Sequence, residues 1–158
     1  MQRSITGFRT DEEGHWVALL DCGHPQHVRH DPPLVERPWV LTAEGRSSRL
    51  GERLDCVRCD RFEVPDGFAR YKQTADLDQG SVPAGLLKDH TTKRGVWGKI
   101  IVHDGTLRYH VDAMGRRFEL APGTPGIVVP EVPHHLEILG PVRFHVEFWA
   151  AQDGGGAS

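Results

Sequence analysis

The 158-residue sequence is short of the features that announce a compartment or a charged partner. No apolar run approaches the roughly 18–20 residues of a membrane-spanning helix. The opening residues, MQRSITGFRTDEEGHW, carry no apolar core of the secretory-signal kind. Membrane insertion and export are not expected, and the cytoplasm is the expected location. Cysteine is scarce: Cys22, Cys56 and Cys59 are the three present, and none follows Asp60. An odd number of cysteines without an export signal argues against a disulfide framework. An excess of one charge is also missing. A formal net charge of −3, with a pI near 6.3, gives no global field for capturing nucleic acid or an anionic membrane.

Glycine (18), proline (11) and histidine (10) are what the chain does have. Such a turn-rich composition favours many short strands over long helices. The histidines fall into two groups, three between Cys22 and His30 and six between His90 and His145, which suggests two modules. The domain boundaries read as residues 1–64 for a Cys/His module, 66–151 for a β-barrel domain, and 152–158 for a disordered Gly-rich tail.

In the first module, Ile5–Phe8 and His15–Leu20 flank the polar tip Asp11-Glu12-Glu13-Gly14, the pattern of a β-hairpin. Cys22-Gly23-His24 and His27 follow it, and Cys56 and Cys59 form a later C-x-x-C pair. Two thiolates at that spacing can wrap one tetrahedral zinc from a tight turn, and the other pair must come from elsewhere. Cys22 with either His24 or His27 supplies it, giving a ribbon-like site of three cysteines and one histidine. The competing reading is a redox pair, for which the surrounding βαβ pattern is lacking. A module of this size holds little core and gains from a staple. Arginines crowd this half, but Asp31, Glu36, Glu44, Glu52, Asp55 and Asp60 are interleaved with them. A solvated mixed surface is the expected outcome, and nucleic acid is not an expected partner. The pattern CGHPQHVRHDPP…LDCVRCDR resembles a small uncharacterised bacterial Cys/His family over about residues 3–62, which brings no known activity.

The second module is organised around PGTPGIVVPEVPHHLEI, Pro122–Ile138, where Pro-Gly turns bracket a β-branched run that leads to His134 and His135. Strands are expected over 96–103, 106–111, 117–120, 126–129, 135–139 and 142–149, with Asp104-Gly105 as a tight hairpin turn. Within 142–149, Val142, Phe144, Val146 and Phe148 share one face, and Arg143, His145, Glu147 and Trp149 share the other. The stretches VPAGLLKDHTTKRGVWGKIIVHDGTLRYHV and PGTPGIVVPEVPHHLEILGPVRFHVEFW resemble the cupin domain of TehB-type tellurite-resistance proteins, over about residues 68–150. The resemblance implies a mainly β fold class: a small zinc-ribbon-like module followed by a cupin (double-stranded β-helix, jelly-roll) barrel, often paired into a homodimer.

In the pattern of cupins in general, the late histidine corresponds to His134 and the first early histidine to His90. Thr92 stands where the second early histidine would be, and Trp97-Gly98 where the glutamate would fall. The four-ligand metal set is therefore incomplete. Two functions remain for His90 and His134: ligands of a second divalent metal (Fe, Zn, Ni or Cu), with Glu147 or His145 as a further donor, or metal-free contacts to a ligand. His103 and His135 read as surface residues. The chain is thus expected to bind a small-molecule ligand or oxyanion, with an association with tellurite or other toxic-oxyanion stress. The alternatives are a metal-dependent enzyme of oxygenase or isomerase type on a small polar substrate, and a regulatory module that uses the zinc knuckle. No Gly-rich nucleotide-binding loop follows a strand, so methyl transfer is not expected of these residues.

Overall fold

Alternation of apolar and polar residues, rather than helical periodicity, governs the architecture. A computed structural model describes residues 1–152. Most of the expected tail, 153–158, lies outside the described residues. The chain divides into two compact units, Met1–Pro65 and the residues from Asp66 on. Among the described residues, no helix is long and apolar enough to cross a membrane.

In the first unit, β1 (Gln2–Thr10) pairs antiparallel with β2 (Trp16–Leu20), and the turn between them is closed on Asp11. β3 (Pro25–His27) adds to β2, and β4 (Arg53–Asp55) adds to the other edge of β1, giving the order β3-β2-β1-β4. β2 and β4 both run antiparallel to β1, so both end at the same end of the sheet, Leu20 opposite Ile5 and Asp55 opposite Gln2. This arrangement delivers Cys22 and Cys56 to one place. Two short helices, α1 (Ala43–Ser47) and α2 (Val57–Asp60), complete the unit. Its aliphatic core is small: Ile5, Val17, Ala18, Leu20, Val28 and Val40.

The second unit is one six-stranded sheet built on two long strands, β7 (Trp97–Val111) and β10 (His135–Ala151), which pair along their length. β5 (Phe68–Gln73) and β6 (Leu77–Asp78) line the free edge of β10; β8 (Arg116–Leu120) and β9 (Gly126–Val128) line that of β7. Asp104-Gly105 does not turn the chain, contrary to the sequence reading. It lies inside β7, where the pairing shifts between Ile138 and Val142. Gly105 has φ +77°, and a Cβ there would run into the Pro141 carbonyl. A glycine at positive φ serves a bulge as readily as a hairpin, and here it bends two strands together. Trp97, Ile100, Val102, Leu107, Tyr109, Leu120, Val128, Leu136 and Phe144 form the buried side.

Candidate metal centre and candidate ligand cavity

The first unit places four of the sequence-derived ligands together. Cys22 and His24 sit in the turn between β2 and β3, which Gly23 closes by donating its N–H to Leu20 with φ +96°. Cys56 precedes α2 and Cys59 lies within it. All four are buried, and their ligand atoms lie within 4.8 Å of one another. The sulfurs of Cys22, Cys56 and Cys59 are 3.4, 3.3 and 3.7 Å from His24 Nδ1, and the Cys22 and Cys56 sulfurs are 3.9 Å apart. Zinc bond lengths predict tetrahedral edges of about 3.8 Å between sulfurs and about 3.6 Å from sulfur to nitrogen. The cluster fits a metal such as zinc. His24 Nε2 donates to the Glu63 carbonyl at 2.8 Å, which leaves Nδ1 as the lone pair that faces the sulfurs.

The electrostatics agree with that role. Burial alone would depress the His24 imidazole, but the Cys22 and Cys56 sulfurs raise its pKa to about 9. Hydrogen bonding with Cys22 and Cys59 draws Cys56 far below the ordinary thiol range, while Cys22 and Cys56 push Cys59 far above it. Three adjacent thiols cannot all ionise on their own; a divalent cation lets them do so and returns His24 to a neutral ligand. His27 is placed elsewhere. It is exposed at the end of β3, with Nε2 3.1 Å from Asp11 Oδ2. Three residues along an extended strand carry it away from the turn that holds His24.

In the second unit, His90 and His134 form an isolated bridge, each N–H donating to the other's carbonyl at 2.9 and 3.0 Å, with ring centroids 4.1 Å apart. His90 Nδ1 donates to the Lys88 carbonyl at 2.9 Å and His134 Nδ1 to the Val132 carbonyl at 3.0 Å. Both Nε2 atoms therefore keep their lone pairs. Tyr109 packs edge-on against His134, and its hydroxyl donates to the Ile127 carbonyl at 2.8 Å. His134 is 4% exposed, and burial lowers its pKa to about 4. Both histidines line a cavity of about 320 Å³ whose other walls include Ile100, Val128, Leu136, Val146 and Phe148, with Lys72 and Lys93 beside them. Thr92 also lines it and donates its hydroxyl to the Val96 carbonyl at 2.7 Å.

The sequence of this region has known counterparts. Residues 72–146 match the model of the TehB-like domain. Residues 6–63 match a family described as a protein of unknown function, DUF3565. The structure is similar to that of TehB from Haemophilus influenzae, with TM-score 0.50 and 23% identity, covering 54% of this chain and 32% of that one. The chain thus spans about a third of the length of that TehB. It is also similar to a protein from E. coli strain K12, with TM-score 0.52 and 22% identity, covering 58% of this chain and 98% of that one. At these identities the likeness is one of fold. No curated protein matches the chain.

In the second unit, Glu147 and His145 do not join His90 and His134. Alternation along β10 turns Val146 and Phe148 to the cavity and leaves His145 and Glu147 on the opposite face. The apolar face lines the cavity because its walls must shed water; the polar face satisfies itself. His145 Nε2 donates to Glu147 Oε2 at 2.9 Å, and Glu147 also accepts from Trp149 Nε1 at 3.1 Å and Arg70 Nη1 at 3.2 Å. Burial would raise the Glu147 pKa, but these donors outweigh it and hold it below the ordinary value. His103, read from sequence as a surface residue, has Nε2 2.7 Å from His145 Nδ1 and 3.5 Å from Asp76 Oδ1. His135 is half-buried, bonded to Asp89 at 2.8 Å and stacked on His110. Sequence reasoning missed Asp76 and His103. The signal available was cross-strand: His103 lies on the same face as Ile101, which pairs with His145.

Proposed function

We propose that this chain is a bacterial, cytoplasmic binding protein: a zinc-stabilised knuckle followed by a cupin-type barrel whose cavity takes a small oxyanion-bearing ligand. The single observation that carries this reading is the pairing of His90 and His134 in a mostly apolar cavity with Lys72 and Lys93 beside it. Lysines supply positive charge to an anion. A neutral His134 accepts a hydrogen bond through Nε2 and does not donate one. A partly protonated oxyanion matches both, since its charged oxygens meet lysine while its remaining O–H is donated to imidazole. The resemblance to the tellurite-resistance domain points to tellurite and related toxic oxyanions as the ligand class. Isothermal titration of the full chain with sodium tellurite at neutral pH tests this. Saturable binding that weakens at least tenfold in His134→Ala and in Lys93→Ala is expected; no heat from tellurite, selenite or a small carboxylate overturns it.

A second reading, a metal-dependent oxygenase- or isomerase-like enzyme on a small polar substrate, draws on the two free Nε2 atoms. His90 and His134 would be its ligands, and the chemistry would be Lewis-acid activation at the open positions. It predicts a metal that leaves the protein in His134→Ala while the cysteine-bound metal stays. Retention of every metal atom in that variant rules it out.

A further inference from the structure

The outer face of the TehB-like sheet carries a group of metal-ligating side chains that neither function above uses. Asp76, His103 and His145 each present one ligand atom, and those atoms lie within 4.8 Å of one another. They come from the loop before β6, from β7 and from β10. Two imidazoles and a carboxylate suit a divalent first-row transition ion.

Two of the three ligands are held by neighbours that fix their orientation. Glu147 accepts from His145 Nε2, so the lone pair of His145 is on Nδ1, the atom that faces His103. A carboxylate that orients a histidine in this way is the usual outer support of a metal-bound imidazole. Glu147 is in turn fixed by Trp149 and Arg70. On the other side, Arg143 Nη1 holds Asp76 Oδ2 at 3.1 Å, leaving Oδ1 toward His103.

Without an ion, the proton on His103 Nε2 satisfies His145 Nδ1 at 2.7 Å. Nitrogens bound to one ion stand about 2.9–3.3 Å apart, from octahedral to tetrahedral geometry, at ordinary metal–nitrogen lengths. His103 therefore has to swing outward by a few tenths of an ångström. Its side chain is 29% exposed and that of Asp76 is 53% exposed, so both have room to adjust, while His145, at 10%, is the fixed member. The ion takes the place of one proton. The Nε2 proton of His103 passes to solvent, Nδ1 takes one up, and the imidazole stays neutral.

We infer that Asp76, His103 and His145, oriented by Glu147, form a second, solvent-open site for a divalent transition-metal ion on the face opposite the cavity. Equilibrium dialysis of the full chain against zinc, with metal counted per chain, tests it. Wild type is expected to take up one exchangeable equivalent beyond the ion in the cysteine cluster. His103→Ala should abolish that equivalent, Asp76→Asn should weaken it at least tenfold, and His134→Ala should leave it intact. Glu147→Gln keeps the shape of the positioning residue but not its charge, and weakening by 10- to 100-fold is expected. Absence of an exchangeable equivalent in wild type overturns the site. So does an equivalent indifferent to both His103→Ala and Asp76→Asn, and so does one lost in His134→Ala, which would put the ion in the cavity. Failure through His103→Ala or Asp76→Asn leaves the oxyanion reading untouched, because neither residue lines the cavity, whereas an equivalent lost in His134→Ala would favour the metal-dependent reading of the cavity.

Discussion

His24 and His134 are buried to nearly the same extent, 1% and 4% exposed, yet their environments pull them in opposite directions. Sulfurs beside His24 raise its pKa to about 9, whereas apolar walls around His134 lower it to about 4. Burial by itself decides neither. In the first unit a small aliphatic core is joined by a buried cluster of three cysteines and a histidine. In the second unit Trp97, Tyr109, Phe144 and their neighbours make the core, and the histidines are left at a cavity wall. The first unit has few buried apolar side chains beside its cluster, while the second has enough of them to wall a pocket.

The largest expected effect breaks that contrast at the metal cluster. Cys56→Ser, or exhaustive chelation, removes binding free energy on the order of 10 kcal/mol from a unit with little else to hold it. Amide resonances of Ile5, Val17 and Leu20 should collapse to unfolded positions while those of Trp97 and Phe144 persist. An unchanged spectrum would sink the structural role of the cluster.

Next in size is the pH dependence of the second unit. The folded pKa of His134, about 4, lies below its ordinary 6.5, so between these values the unfolded chain binds the extra proton. Stability is complete above about pH 6.5 and is lost as the pH falls toward 4, by on the order of 2–3 kcal/mol. Urea unfolding at pH 7 and pH 4.5 measures it, and His134→Asn should flatten the slope. An identical slope in the variant would mean that other groups carry the pH dependence.

Gly105→Ala should cost about 2 kcal/mol, because the position needs positive φ and its Cβ would meet the Pro141 carbonyl. The midpoint of the second unit's transition is the readout, and a shift equal to that of a surface alanine would refute the bulge. The smallest effect sharpens the choice between two histidines. His27→Ala should change stability by no more than about 0.5 kcal/mol and leave metal content intact, whereas His24→Ala should lose the metal. Metal analysis of both variants decides it, and the reverse result would move the fourth ligand to His27.

Much of the local structure is legible in the sequence. The hairpin around Asp11-Glu12-Glu13-Gly14 and the C-x-x-C turn are written in neighbouring residues, where turn chemistry acts directly. The faces of Val142–Trp149 were legible too, because alternation is a property of the strand itself. Which face looks inward was not. Glu147 and His145 are good ligand types, but the cavity wall went to Val146 and Phe148, since apolar surface shed from water outweighs ligand chemistry in choosing a side. Asp104-Gly105 misled for a related reason: a positive-φ glycine is equally at home in a turn and in a bulge, and only the partner strand tells them apart.

By itself, then, the sequence determined which residues can do chemistry, the strand-rich class of the fold and the short-range geometry of its turns. Tertiary structure decided which of those residues meet. Cys22 and Cys56 converge because β2 and β4 flank β1 and run the same way. His103 reaches His145 because β7 and β10 pair in one register out of many. Pairing over such distances in the chain is fixed by the sum of buried contacts across a whole sheet, which no single stretch of residues contains.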